Sequence, residues 1–487
     1  MTKEITSPVL STLKSLGSFV DNALSQSCEH LAFFSLVNQL GLKKKFGADI
    51  PQILFVILIC PIVKANSMWA FCSEFLDQLS IGAKDVIYRF LRREDIRWAH
   101  LLKRLAKSFA LEHPECFEDE DACAFVVDDS LKPRTGKVEA SASHWDHNKK
   151  QAIRSHQVLS LGIAFGRGFI PLFTQICTGS KKRQQRAKKF QDNRSEVAKA
   201  YKRGMDQDKN SMLQQMVKQA RRVGFKVKWI LGDSWYGTKG NIKMALDADL
   251  EAIFLMKRSA MKYRFDGRLM NARELYQAFK RRMRPLGGGQ FRGVSVRVEI
   301  NLGDEKQPEW RKVTLMLSRP RHNRKPDGWV VCLCTDTTLS MERILKLYAL
   351  RWSIEVFFKE CKQHLGWLNN QSADYVSSYA SLHLGAIRYL LFLDGALRGL
   401  EGTDSLAQLR KSQTKKLTLL NYMGLLWNLL TEAIFGILDG LGRRFPTDLI
   451  AEIKKLVAIE LDDFIAQAFQ FDLNCDETPP ESVPLHR

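Results

Sequence analysis

Apolar residues recur at helical spacing at both ends of the chain and form strand-like runs through its middle. Residues 1–115 contain few alternating stretches, which predicts a helical region. Short apolar runs follow, among them CAFVVDDS (Cys123–Ser130) and HQVLSLGIAFG (His156–Gly166), and these predict strands. A further strand, KVKWILGDS (Lys226–Ser234), comes after a basic helical stretch. Strands that alternate with helices in this way indicate a mixed α/β sheet.

A second group of strand-like runs lies downstream of residue 260. The run FRGVSVRVEI (Phe291–Ile300) alternates between apolar and polar positions, and KVTLMLS and WVVCLCTD follow with the same character. From residue 341 the spacing is helical again, and it stays so to about residue 470. The pattern therefore predicts a β-rich segment inserted between the first sheet strands and a late helix.

The charge balance narrows the choice of partner. The 487 residues carry 74 Lys and Arg against 53 Asp and Glu, for a formal net charge of +21 and a pI near 9.5. Such an excess indicates a polyanion, most commonly nucleic acid, with a membrane surface as the alternative. The stretch Ser80–Phe109 fits either a helix-turn-helix-like DNA reader or an ordinary basic surface helix.

Two further patterns bear on location. The longest apolar run, Ile53–Val63, is too short to cross a bilayer, and the polar start MTKEITSPVL does not resemble a signal peptide. We therefore expect no membrane partner. The ten cysteines include no C-x-x-C pair, which predicts neither a zinc site nor a disulfide framework and fits a cytoplasmic location.

Charged residues lie on an otherwise apolar late helix, where burying them is unfavourable unless they have partners. In YALRWSIEVFFKECKQHLG (residues 348–366), Tyr348, Arg351, Glu355 and Lys362 fall at about 0°, −60°, −20° and −40° around a helix, on one narrow stripe. One interpretation is a half-exposed amphipathic helix with an internal Arg351–Glu355 ion pair. The other is a carboxylate in a cleft, beside basic groups that hold a polyanion.

Two more acids stand at the ends of apolar strands, Asp129 in the first strand and Asp233 in a later one. Three converging carboxylates repel one another and need cations, for which Mg²⁺ or Mn²⁺ are the natural choices. Two such ions about 3.5–4 Å apart can activate the attacking oxygen and stabilise the leaving one in a phosphodiester displacement. Arg351 and Lys362 would then hold phosphates, and Tyr348 would stack on a base or bind a phosphate.

These motifs carry a family resemblance. The Tyr-x2-Arg-x3-Glu-x6-Lys spacing, with VVDDS and ILGDSWYG before it, resembles the signature of bacterial insertion-sequence DDE transposases of the IS-four group. The resemblance implies a ribonuclease-H-like core with a β-rich insertion, in which Asp129, Asp233 and Glu355 bind two Mg²⁺ ions, with Mn²⁺ as a substitute. It implies that Tyr348, Arg351 and Lys362 hold the DNA.

The same resemblance implies a reaction and partners. Such enzymes cut double-stranded DNA at terminal inverted repeats and join the freed 3′-hydroxyl to target DNA, as homodimers on paired ends, in the bacterial cytoplasm at the nucleoid. Read with the pattern of the chain, it predicts these regions: a helical N-terminal DNA-binding region (1–115), the first part of the catalytic core (116–260), the β-rich insertion (261–340), the glutamate helix (341–372), a helical C-terminal region (373–470) and a disordered tail (471–487).

Several alternatives stay open at this point. Asp128 is adjacent to Asp129, and only one of two neighbours on a strand can face a site. Ser130 follows Asp129 as the family pattern has it, which favours Asp129. Trp235 and Tyr236 could stack on bases or support the strand end. The rival functions are another ribonuclease-H-like endonuclease and a DNA-binding derivative without catalysis.

Overall fold

The computed structural model describes residues 22–63, 84–119, 122–146, 149–179, 188–258, 261–323, 325–441 and 445–472. Residues 473–487 of the predicted disordered tail lie outside these ranges. The chain divides into two compact units, one formed by Met1–Phe90 with Leu391–Arg487 and the other by Leu91–Leu390. No helix within the described ranges is both long enough and apolar enough to cross a membrane.

Among the described residues, helices account for most of the first unit and pack on the sheet of the second. The α-helices are α1 (Ala23–His30), α2 (Phe33–Asn38), α3 (Ile50–Ile59), α4 (Asp85–Leu91), α5 (Trp98–Glu112), α6 (Glu196–Asp206), α7 (Lys209–Val223), α8 (Lys239–Asp247), α9 (Ala272–Phe279), α10 (Met341–Ala349), α11 (Trp352–Gln363), α12 (Tyr375–Leu397), α13 (Leu406–Leu441) and α14 (Thr447–Asp472).

The second unit is built on one mixed sheet. Its strands are β1 (Ala124–Pro133), β2 (Ala142–Asp146), β3 (Gln151–Phe165), β4 (Gly168–Cys177), β5 (Trp229–Gly232), β6 (Glu251–Leu255), β7 (Lys262–Phe265), β8 (Arg268–Asn271), β9 (Arg284–Leu286), β10 (Phe291–Asn301), β11 (Trp310–Pro320) and β12 (Val330–Cys334). The order is β2-β3-β1-β5-β6-β12-β11-β10-β7-β8, with β4 beside β3 and β9 beside β10.

The central strands have the arrangement that the sequence predicted. β3 is antiparallel to β1 and to β4, whereas β1, β5 and β6 are parallel. The sheet is mixed and helices accompany it, so the predicted α/β class is confirmed. β4 is buried along almost its whole length, and β3 is buried over its second half, where helices pack on the sheet.

The β-rich insertion continues this sheet. Its last strand, β12, pairs antiparallel with β6, and β11, β10 and β7 follow outward. The strands predicted at Phe291–Ile300, KVTLMLS and WVVCLCTD correspond to β10, β11 and β12. The hydrophobic pattern does not predict that the insertion shares a sheet with the core, because strand pairing depends on residues far apart in the chain.

The predicted late helix is divided in two. α10 ends at Ala349 and α11 begins at Trp352. Between them, the N–H groups of Leu350, Arg351 and Ser353 bond to carbonyls three residues earlier, which is a tighter turn than the α-helical one. The charged stripe therefore spans two helices joined at Arg351.

Candidate active site

The register of the parallel strands sets two carboxylates side by side. Val127 of β1 pairs with Gly232 of β5, and an aspartate follows each of them, Asp128 and Asp233. Since parallel strands end at the same edge of a sheet, this edge is where sites of α/β proteins form. Asp233 also stabilises its own turn, because its carboxylate accepts a 2.9 Å hydrogen bond from the N–H of Trp235.

The helix α11 places Glu355 against the same part of the sheet. Its inner side is apolar, with Ile354, Phe357 and Phe358 buried. The Phe357 ring lies 5.1 Å, centroid to centroid, from Phe169 of β4. This packing leaves Glu355 half-buried beside β1.

Arg351 joins two acids into one cluster. One of its terminal nitrogens lies 2.9 Å from Asp128 Oδ2, and the other lies 2.5 Å from Glu355 Oε1. The Arg351–Glu355 ion pair predicted from the i, i+4 spacing is present. A single guanidinium therefore bridges the first strand and the glutamate helix, and it offsets the repulsion between their negative charges.

The surroundings of Asp128 disfavour its ionised form. Burial, and next the nearby negative charge of Asp233, raise the pKa of Asp128 to about 7, although Arg351 acts in the opposite direction. A further cation beside such a carboxyl would stabilise its ionised form.

Asp129 has different neighbours. Its Oδ1 accepts hydrogen bonds from Lys209 Nζ at 2.5 Å and from the Tyr236 hydroxyl at 2.8 Å, and its Oδ2 accepts one from Gln157 Nε2 at 2.6 Å. Neighbouring side chains on a strand point to opposite faces. Asp128 therefore faces α11, and Asp129 faces the start of α7, where Asp208 caps the helix.

Tyr348 and Lys362 flank the cluster. The Tyr348 hydroxyl lies 3.5 Å from the carbonyl oxygen of Gly232, and burial raises its pKa, so it is a neutral donor. The Lys362 ammonium contacts the hydroxyl of Ser130. Burial, followed by the charge of Lys132, lowers the pKa of Lys362 to about 8.

An open cavity of about 940 Å³ lies at this edge of the sheet. Asp128, Asp129, Asp233 and Lys362 line it, whereas Glu355, Arg351 and Tyr348 are not among its lining residues. The structure thus brings Asp128, Glu355 and Arg351 into direct contact, with Asp233 and Lys362 beside them.

Some residues of the site carried little sequence signal. Lys209 contacts Asp129 across 80 positions of sequence, and no local motif marks it. Trp145 and Asp146 of β2 also line the cavity. They lie in the run SHWDH, for which the sequence favours a polar turn near the DNA over a metal site. His144 is buried against the Ser155 hydroxyl, and His147 lies outside the described residues.

The group with the chemistry to hold hard divalent cations is the carboxylate set of Asp128, Asp233 and Glu355. Its donors are oxygens, which Mg²⁺ and Mn²⁺ prefer. Burial first, and then the charge of Asp233, raise the pKa of Asp128, so a cation beside it would stabilise its ionised form. On these two observations the residues fit a divalent metal.

Comparisons with known proteins give the following. The curated protein sequences give no match. Among solved structures, the chain is similar to the piggyBac transposase in a synaptic complex with hairpin DNA, with 14% identity and a TM-score of 0.39 over 99% of this chain and 88% of that one. It is also similar to the Drosophila P element transposase strand transfer complex, with 12% identity and a TM-score of 0.22 over 91% of this chain and 96% of that one. Likenesses this low assign neither a site nor an activity.

Part of the chain matches a known protein family. Residues 194–391 match the family described as Transposase DDE domain. This range includes Asp233, Glu355 and the residues Tyr348, Arg351 and Lys362, and it begins after β1. The match of residues 194–391 therefore supports a DDE transposase as the class of this protein.

Proposed function

We propose that the chain is a DNA transposase that cleaves phosphodiester bonds at the terminal inverted repeats of an insertion sequence and transfers the 3′-OH ends to target DNA. The observation that carries this proposal is the bridge from Asp128 through Arg351 to Glu355, with Asp233 in register beside Asp128. The match to a transposase DDE domain supports it. The net charge of +21 suits a DNA partner.

Asp128, Asp233 and Glu355 are the proposed ligands of two Mg²⁺ ions, for which Mn²⁺ can substitute. When bound, such ions supply Lewis-acid stabilisation of charge on the attacking and leaving oxygens. The protein's own contribution is to hold three carboxylates on rigid elements, two at strand ends and one on a packed helix. Arg351 keeps Asp128 and Glu355 oriented toward one another.

Asp128, rather than Asp129, is our choice for the first acid. Both oxygens of Asp129 already accept hydrogen bonds, from Lys209, Tyr236 and Gln157. The oxygens of Asp128 are engaged as well, Oδ1 by the Asp129 N–H at 2.8 Å and Oδ2 by Arg351, but Arg351 is the arginine that Glu355 also contacts. The family resemblance predicted Asp129, and a direct comparison of the two variants, given in the Discussion, decides between them.

Tyr348, Arg351 and Lys362 are the proposed contacts to the DNA end. Each side chain can donate a hydrogen bond to a phosphate oxygen. All three lie around the carboxylates, where the phosphate to be cut must sit. We further propose that the protein belongs to the bacterial IS-four group, acts at the nucleoid and works as a homodimer on paired ends, as the Tyr-Arg-Glu-Lys spacing implies for that group.

The test is cleavage of a duplex that carries the inverted repeats found beside the gene. We expect cuts at the repeat end with Mg²⁺ or Mn²⁺, none with EDTA, and joining of the 3′ end to a second duplex. A duplex with a scrambled repeat is the control. Equal cutting of both duplexes, without joining, would favour another ribonuclease-H-like endonuclease, and DNA binding without any cutting would favour a derivative that has lost catalysis.

Lys362 gives a prediction about salt and pH. Replacing Lys362 by Ala should weaken DNA binding and reduce the slope of log affinity against log salt by about 0.9, the effect of one lost phosphate contact. A phosphate stabilises the charged amine, and its pKa in the free protein is about 8. Binding by the parent protein should therefore be strongest below pH 8 and weaken as the pH rises through 8.

The matched control is Lys362→Arg, because a guanidinium stays charged over this range. Its DNA affinity should not change as the pH passes through 8. Affinities measured by fluorescence anisotropy at several salt concentrations and pH values give both results. A Lys362→Ala protein with an unchanged salt slope would exclude the phosphate contact.

A further inference from the structure

One row of side chains on β1 makes polar contacts along α11 and beyond its end. Alternate residues of a strand point to the same face, so this row contains Asp128, Ser130, Lys132 and, directly after the strand, Arg134. Asp128 contacts Arg351 at the start of α11, and the hydroxyl of Ser130 contacts Lys362 in its last turn. The row covers about 20 Å, which is close to the length of α11.

Arg134 ends this row with three hydrogen bonds. Its guanidinium donates to the backbone carbonyl oxygens of Leu368 at 2.9 Å, Asn370 at 2.7 Å and Ser372 at 3.0 Å. Its own N–H donates to the carbonyl of Arg154 on β3 at 3.0 Å, so the arginine is itself fixed in the sheet. The chain that follows α11 is therefore tied to the sheet at three points.

The residues that Arg134 holds, 368–372, form what we call the anchoring segment. Leu368 has a φ of 53°, in the left-handed region that residues other than glycine rarely adopt. Such a conformation persists only where the surroundings hold it. Trp367, just before it, is buried and packs on Phe358 of α11, with ring centroids 5.7 Å apart. The anchoring segment thus connects Arg134 to α11.

Lys132 acts on the end of α11 itself. Its ammonium donates to the side-chain oxygen of Asn369 at 2.5 Å and lies 3.5 Å from the backbone carbonyl oxygen of Lys362. A lysine at the last carbonyls of a helix also interacts favourably with the helix dipole. The row therefore holds α11 at its end as well as at Arg351.

These contacts fix what apolar packing leaves open. The buried side chains of α11 hold it against the sheet, but the hydrophobic effect has no direction and constrains movement along the sheet only weakly. Hydrogen bonds to particular carbonyls are directional, so they specify one position. A slip of α11 by one turn would move Glu355 by about 5.4 Å relative to Asp128.

We propose that Arg134 and Lys132 are positioning residues of the active site, which hold the end of α11 on β1 so that Glu355 stays beside Asp128. This inference rests on the proposed function, since it concerns the geometry of the proposed metal ligands. Neither side chain is among the residues that line the cavity at the carboxylates, so both act through α11 and not on the DNA there.

The first test is the Mg²⁺ dependence of repeat cleavage, measured in single turnover at saturating DNA. Arg134→Ala should raise the Mg²⁺ concentration for half-maximal cleavage by roughly tenfold, as for groups that act through a metal ligand. Arg134→Lys keeps the charge and loses the planar fork of donors, so it should fall between Arg134→Ala and the parent. At temperatures well below unfolding, a loss of stability alone would not change this concentration.

The second test is amide hydrogen exchange in EDTA, which needs neither metal nor DNA. In Arg134→Ala, the last turn of α11 and the anchoring segment should exchange roughly tenfold faster, because opening them no longer breaks the three hydrogen bonds. The central strands β1 and β5 should exchange as in the parent.

The matched control is Arg258→Ala. Arg258 also donates to two backbone carbonyls, those of Asp327 and Trp329, but it anchors the insertion instead of α11. This variant should keep the Mg²⁺ requirement of the parent and the parent's exchange in α11. If Arg134→Ala does not fold, Lys132→Met replaces it in both tests, because it removes only the contacts to Asn369 and Lys362.

A folded variant in which either effect is missing would overturn the inference. If the parent cuts the repeat end and Arg134→Ala has the same Mg²⁺ requirement, only the positioning role is wrong. If the parent cuts no repeat duplex with Mg²⁺ or Mn²⁺, the proposed function is wrong and the positioning role falls with it, whatever the exchange of α11 shows.

Discussion

Asp128→Asn should bind DNA and fail to cut it, with a cleavage rate reduced by roughly 10³-fold, at the upper end of what loss of one charge-stabilising group costs an active site. The substitution keeps the size of the side chain and removes a negative charge from the cluster with Glu355. Glu355→Gln should behave in the same way. Single-turnover cleavage of the repeat duplex in Mg²⁺ measures both.

Asp129→Asn is the matched comparison, because it makes the same chemical change one residue away. It should lower the free energy of unfolding by about 2 kcal/mol, since it breaks the ion pair with Lys209. Its cleavage rate should fall only about tenfold, as for groups that act through a neighbour of the metal ligands. The opposite order of the two rates would restore Asp129 as the first acid.

Thermal unfolding of the same proteins gives an independent check. Burial and the charge of Asp233 raise the pKa of Asp128, so its ionised form is disfavoured in the folded protein above pH 7. Asp128→Asn should therefore unfold at a temperature equal to or higher than that of the parent at pH 8. A large loss of stability would mean that the lost cleavage reflects misfolding.

Gly237→Ala should destabilise the second unit by about 3 kcal/mol and abolish cleavage with it. A Cβ atom at Gly237 would lie 2.1 Å from the carbonyl oxygen of Leu255 and 2.9 Å from the sulfur of Met256. The first of these is a backbone atom in β6, so it cannot move without disturbing the sheet. The turn that carries Asp233 and Trp235 would have to shift instead.

Gly240→Ala is the control for this change. Its added Cβ would meet nothing closer than Gln214 Nε2 at 3.7 Å, and the residue lies in the first turn of α8. Alanine favours a helix more than glycine does, so stability should stay equal or rise slightly. Chemical denaturation followed by circular dichroism compares the two variants, and equal stabilities would mean that the turn tolerates a side chain at 237.

Local patterns predicted the elements of the sheet well. β1, β3, β10 and β11 are long apolar or alternating runs, and such runs have few alternatives to a strand. The helix α9 inside the insertion was missed, although Asn271 and Glu274 form a capping box at its start, which is a readable signal. The division at Arg351 had no such signal, because both helices continue one apolar pattern.

The site was predicted in part. The spacing of Tyr348, Arg351, Glu355 and Lys362 identified the residues that α10, α11 and their junction contribute. These residues lie in or around the cluster. The choice between Asp128 and Asp129 depends on which face of β1 meets α11, and sequence alone does not fix that parity. The contact between Asp128 and Arg351 shows that Asp128 is the one that faces α11, and the comparison of the two variants tests which of the two acids serves the reaction.

The pairing of β12 with β6 has a practical consequence for anyone who shortens this protein. Excising residues 261–340 would strip β6 of its outer neighbour and expose its backbone N–H and C=O groups, which invites other chains to add to the sheet. A trimmed version would be expected to precipitate or form fibres, unless a short peptide or a designed hairpin were grafted to shield that border. By covering the edge of β6, the insertion therefore also protects the protein against aggregation.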